Sequence, residues 1–128
     1  MDFHYSVTTN KTVDEAVAAL EVSLQANKFG VLWQLDIPAT LQKKGVDFTT
    51  PYRVLEVCNP HEAKKVLSQN PLVGYFLPCK IVVYEADGQT HIGMPRPSVL
   101  MDVIHDLALA GIAEEVETSL IQAVNEAK

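Results

Sequence analysis

Two thiols and one imidazole are the residues best suited to chemistry in this chain. Cys58 and His61 lie in the run Cys58-Asn59-Pro60-His61, and Cys79 follows in Leu77-Pro78-Cys79. The Cys-x-x-His spacing supplies two ligands for a soft ion such as zinc, and Cys79 a third, with no evident fourth. Against a metal, His61 is expected in the exposed first turn of a helix, where the dipole disfavours a cation. A second chemistry is thiol-based redox or sulfur handling by Cys58, with Cys79 as resolver. Cys58 ends an apolar run just before Asn59, so its sulfur is expected near unpaired backbone donors and the positive end of a helix, both of which favour the thiolate. Burial in apolar surroundings acts the other way. If the segments carrying the two cysteines are antiparallel neighbours, the thiols come within reach of each other. If they are parallel, the thiols stand about 20 Å apart, at roughly 3.3 Å per residue. The candidate functional site is therefore Cys58, Asn59, His61 and Cys79. Glu56 and Glu85 would form an acid-base pair only if their strands adjoin. His4, His91 and His105 are isolated from one another in sequence.

These residues are held by elements that the periodicity predicts. Phe3, Tyr5 and Val7 alternate with polar residues and predict a first strand. Thr12 and Glu15 form a capping box for a helix over 12–27, with Val13, Ala16, Val17, Leu20 and Leu24 as its apolar stripe. Gly30 opens a strand in which Val31, Trp33, Leu35 and Ile37 share a face, and Pro38 ends it. Residues 38–50 are expected to be a partly ordered connector with a helical turn stopped by Gly45. Tyr52–Cys58 reads as a strand, followed by a helix with Asn59 as N-cap, Pro60 at N1 and Glu62 at N3, ending near Asn70-Pro71. Leu72–Pro78 is an apolar loop expected to cover its own core or a partner's. Strands over 79–85 and 89–94 meet at Asp87-Gly88, a strong hairpin signal. The last third is helical, with an interruption expected at Gly111. The order strand, helix, strand, strand, helix, strand, strand, helix predicts a single α+β domain, 1–128, with a mostly antiparallel five-stranded sheet and helices mainly on one face.

Composition narrows the function classes. The 128 residues are 48% hydrophobic, and 10 Lys and Arg against 16 Asp and Glu leave a net charge of −6. An acidic chain whose lysines pair only at Lys43-Lys44 and Lys64-Lys65 argues against nucleic acid or an anionic membrane as partner. The N-terminus has neither a basic nor an apolar targeting segment, and two cysteines are too few for a disulfide scaffold, so a cytoplasmic location is expected. The chain lacks a Gly-rich phosphate loop, a Gly-x-Ser-x-Gly elbow and a His-Glu-x-x-His helix; no catalytic motif is recognisable and no cofactor is implied.

Both faces of Lys80-Ile81-Val82-Val83-Tyr84, and to a lesser degree of Arg53–Val57, carry apolar residues. Helices on one side of a sheet and water on the other would give clean alternation, so the second face is expected to be covered. A symmetric homodimer does this most simply, the alternative being the connector and the apolar loop of the same chain.

The runs Val54-Leu55-Glu56-Val57-Cys58-Asn59-Pro60-His61-Glu62-Ala63 and Leu77-Pro78-Cys79-Lys80-Ile81-Val82-Val83-Tyr84-Glu85 resemble the domain-of-unknown-function 302 family, and the resemblance extends over essentially the whole chain. It implies a TATA-binding-protein-like α+β fold, small cytoplasmic bacterial or archaeal proteins, and dimers. It implies no reaction. The readings that follow are a dimeric small-ligand-binding or regulatory module, a thiol protein using Cys58 and Cys79, or a soft-metal-binding protein.

Overall fold

A computed structural model describes residues 2–128. The chain runs β1 (His4–Thr9), α1 (Val13–Ala26), β2 (Gly30–Asp36), α2 (Ile37–Lys43), β3 (Tyr52–Cys58), α3 (Pro60–Gln69), a 3-10 segment (Pro71–Phe76), β4 (Cys79–Ala86), β5 (Gln89–Pro95), α4 (Pro97–Asp102) and α5 (Leu107–Ala127). The five strands form one sheet in the order β1-β5-β4-β3-β2, and every pairing is antiparallel.

The capping box predicted for α1 forms as expected. The Thr12 backbone amide donates to Glu15 Oε1 at 2.9 Å, and the Glu15 amide donates to Thr12 Oγ1 at 3.1 Å. The stripe it starts, Ala16, Val17, Leu20 and Leu24, packs with Leu120, Ala123 and Val124 of α5 against Leu55, Val57, Ile81, Val83, Ile92 and Met94 of the sheet. Ser23 on α1 donates its hydroxyl to the Ala123 carbonyl at 2.8 Å, which satisfies a buried polar group where the two helices meet. A second, smaller core joins Val66 of α3, Val73 of the 3-10 segment, Met101 of α4, and Leu109 and Ala113 of α5.

Two expectations change. First, β2 does not keep one apolar face. Val31 pairs with Val57, whereas Trp33 pairs with Glu56 and Leu35 with Val54, with a register shift between Val31 and Trp33. The extra residue, Leu32, turns the second half of the strand over, so Trp33 and Leu35 point away from α1 and α5. Second, Gly111 does not interrupt the last helix. The break lies earlier, at His105, whose φ is 60°, and α5 starts behind Asp106, whose carboxylate accepts from the Ala108 amide. Asn70 and Gln69 also donate to Asp106, and these bonds hold its carboxyl below the usual carboxylate range. A Gly inside a helix costs only about 1 kcal/mol, less than a well-formed cap and the packing of Leu109 and Ala113 supply. Leu107, the first residue of α5, is 93% exposed. The apolar run Leu72–Pro78 lies in and after the 3-10 segment and covers the chain's own core, one of the two alternatives expected of it. Asn70 accepts from the Leu72 amide to start it, and Val73 anchors it in the second core.

The connector follows its expectation. Asp36 caps α2 by accepting from the Ala39 amide at 3.0 Å, and Gly45 follows the helix in the left-handed region at φ 77°. No residue of α2 is buried.

Candidate functional site

The two cysteines stand at one end of adjacent antiparallel strands, the arrangement in which sequence alone would let them bridge. Val57, one position before Cys58, is the residue directly opposite Cys79, and both cysteines border one small void beside α3. Both thiols are free. Burial pushes the Cys58 thiol up from its ordinary value. Burial, with Cys58 nearby, pushes Cys79 up to about 11.

The helix dipole does not offset this. The donors expected to stabilise a Cys58 thiolate are already used: Asn59 Oδ1 accepts from the His61 amide at 3.1 Å and from the Glu62 amide at 3.3 Å. Asn59 is the helix cap expected of it. His61 is exposed in the first turn of α3. Among the described residues no group of three His, Cys, Asp or Glu side chains is placed to hold a metal ion. Glu56 and Glu85 are not a pair either. Glu56 faces Lys80 across the strands at 3.4 Å, while Glu85 lies opposite Thr90 on the other face of the sheet.

The structure instead draws attention to a cleft of about 330 Å³ walled by Tyr75, Phe76, Pro78, Pro95, Leu100 and Met101, with Leu77, Cys79, Lys80 and Pro97 completing it. The 3-10 segment forms one wall, α4 the other, and the ends of β4 and β5 the floor. Lys80 is its only charged side chain. Tyr75 is 83% exposed at the rim. Of the residues singled out from sequence, the cleft takes in Cys79 alone. Cys58, Asn59 and Glu62 border a neighbouring void of about 20 Å³, which Cys79 also lines.

A buried carboxylate fixes the α4 wall. Glu117 of α5 is 8% exposed. Its Oε1 accepts from the Ser98 amide at 3.1 Å and from the Ser98 hydroxyl at 2.6 Å, and its Oε2 accepts from Nε and Nη2 of Arg96 at 3.2 and 3.1 Å. Burial raises the Glu117 carboxyl, but the bonds from Ser98 and Arg96 outweigh it and leave it below its ordinary value. Arg96 also donates its backbone amide to the Phe3 carbonyl at 2.7 Å, tying α4 to the segment before β1. Sequence reading missed Arg96, Ser98 and Glu117 because the carboxylate that caps α4 comes from a distant helix. The usable signal was the apolar Leu72–Pro78 run together with Pro95-Arg96-Pro97, two proline-flanked segments that cannot continue a sheet.

A family profile described as "Domain of unknown function DUF302" matches residues 5–127. The chain belongs to this family. It is similar to a crystal structure of an uncharacterized conserved DUF302 protein from Bacillus stearothermophilus, with 48% identity, full coverage of both chains and a TM-score of 0.96. No curated protein matches the sequence. DUF302 membership thus fixes the α+β fold with its open antiparallel sheet, and the cleft and the thiols must be read on their own chemistry. No helix among the described residues is long and apolar enough to cross a membrane.

Proposed function

We propose that this DUF302 protein is a small-ligand-binding module, with the cleft between the 3-10 segment and α4 as its site, and that it works as a homodimer. The cleft carries the reading: about 330 Å³, with apolar walls and one charged side chain, Lys80. Small-molecule sites commonly occupy roughly 300–1,000 Å³ with apolar linings and a few polar groups that set orientation. The walls are also built to stay open, since Val73 anchors one in the core and the Glu117 network anchors the other. A thiol-redox role has less support, because burial holds both thiols above their ordinary pKa. A soft-metal role lacks a ligand set among the described residues. The cytoplasm is the compartment that suits two free thiols.

A fragment screen by thermal shift tests the reading. A compound held at a hundred times its Kd adds about 2.7 kcal/mol, and Leu100→Trp, which fills the cleft, is expected to abolish the gain. Stabilisation that survives Leu100→Trp for every hit would contradict it.

A further inference from the structure

We infer that the ligand of the cleft is a small apolar monocarboxylate, seated with its carboxylate on Lys80 and its body between the 3-10 segment and α4; the inference rests on the ligand-binding reading and deepens it. It is carried by a place at the cleft floor where the sheet comes apart. β4 pairs with β5 from Ala86 and Gln89 only as far as Val82 and Gly93, although β4 extends back to Cys79 and β5 on to Pro95. The cause is chemical. In this register Pro95 would stand across from Lys80, and a proline has no N–H to donate to the Lys80 carbonyl.

The backbone groups that face the gap follow from the alternation of a ladder. The Glu85 amide donates to the Pro51 carbonyl on the β3 side at 3.1 Å, so Lys80, an odd number of residues away, turns its amide and carbonyl toward β5. The Arg96 amide donates to the Phe3 carbonyl on the β1 side at 2.7 Å, so the Pro95 carbonyl, one residue earlier, turns toward β4. Beyond Val82 and Gly93 these groups find no partner on the other strand. Lys80 and Pro95 both line the cleft, so the gap belongs to it.

Charge selects the class of ligand. The site offers one ammonium and one backbone N–H, both from Lys80, and no other charged side chain lines it. Arg96, next to Pro95, is taken up by Glu117. One carboxylate matches the two donors. A second negative charge would meet the Lys80 and Pro95 carbonyl oxygens and also Glu56, whose Oε2 lies 3.4 Å from the Lys80 ammonium, which disfavours a phosphate dianion. Glu56 does not close the site, because the lysine side chain is 54% exposed and an exposed pair of this kind is weakly held. The net charge of −6 gives the chain no general attraction for anions, so the apolar body must supply much of the affinity. Tyr75, Phe76, Leu100 and Met101 wall a space of about 330 Å³, at the small end of ligand sites and suited to one ring on a short chain.

Calorimetric titration of the full chain with 4-phenylbutyrate, 4-phenylbutyramide and inorganic phosphate tests this. The acid and the amide share one body and differ in charge. The acid is expected to bind about tenfold more tightly than the amide, and phosphate not at all at millimolar concentration. Lys80→Met, which keeps most of the stem, is expected to bring acid and amide to equal affinity, and Glu56→Gln to tighten the acid alone; a residue that only shaped the cleft would move both compounds together. Equal binding of acid and amide to the wild type, a preference for the acid that survives Lys80→Met, or phosphate binding as tightly as the acid overturns the inference and leaves the ligand-binding reading standing. Failure of both organic compounds to bind also overturns it; if, in addition, no hit of the fragment screen is lost in Leu100→Trp, the ligand-binding reading falls with it.

Discussion

Val57, one residue before Cys58, is the residue that stands across from Cys79 on the adjacent strand. Cys79 is part of the cleft floor, and both cysteines border the small void beside it. The chemistry of the cysteines follows from it. Half-buried Cys79 has its thiol pushed up to about 11, and Cys58 is raised by a lesser burial.

Iodoacetamide should therefore label Cys58 faster than Cys79, and both more slowly than a free thiol at neutral pH, because the thiolate is the reacting form. A pH series on Cys58→Ser and Cys79→Ser measures each thiol alone. Rapid labelling of Cys58 with a midpoint below the free-thiol value would restore the redox reading.

Much of this fold was legible in the residues, and the exceptions have physical reasons. Period-two runs and local caps such as Thr12-Glu15, Asp36 and Asn59 act within a few residues, so strands, helices and sheet class could be read directly. The bulge at Leu32 could not, because Val31-Leu32-Trp33 alternates plausibly in either register until β3 is in place. The start of α5 was misplaced because a glycine is a visible signal, whereas Asp106 gains its weight from Asn70 and Gln69 on another helix. The site was least legible. Asn59 caps a helix whatever else it does, and the cleft arises only where Tyr75 and Leu100, distant in sequence, come together.

Replacing Glu117 by Ala should destabilise the protein by about 2–4 kcal/mol, since it leaves Arg96 and the Ser98 amide without their acceptor in a largely buried place. The folded-state carboxyl is below its unfolded value. Its contribution is thus fully present above the unfolded value and is lost as pH falls through the folded one. Urea denaturation from neutral pH to about pH 3 should show the gap between wild type and Glu117→Gln closing at the acid end; a gap independent of pH would mean that ionisation of Glu117 contributes nothing.

Val73→Ala should cost about 1–3 kcal/mol, as a buried large-to-small change does. The loss should be local as well as global. Hydrogen exchange of the Val73 and Leu77 amides, which donate to Asn70 and Gly74 carbonyls, should accelerate more than that of β4. Uniform acceleration would show that the 3-10 segment is not an independent wall.

Duplex DNA should not bind at physiological salt. Arg53, Lys65, Lys80 and Arg96 are each already paired with a carboxylate, and an acidic chain has little counterion release to offer. Submicromolar affinity that falls steeply with added salt would contradict this.

The most direct test of the cleft as the binding site is an amide chemical-shift map of the full-length protein against a fragment library of small apolar acids and neutral aromatics. The expected result is that the largest shifts cluster at residues 75–80, 95 and 97–101, and vanish in Leu100→Trp. Shifts that centre on residues 58–62, or spread over the surface with no change in Leu100→Trp, would contradict it.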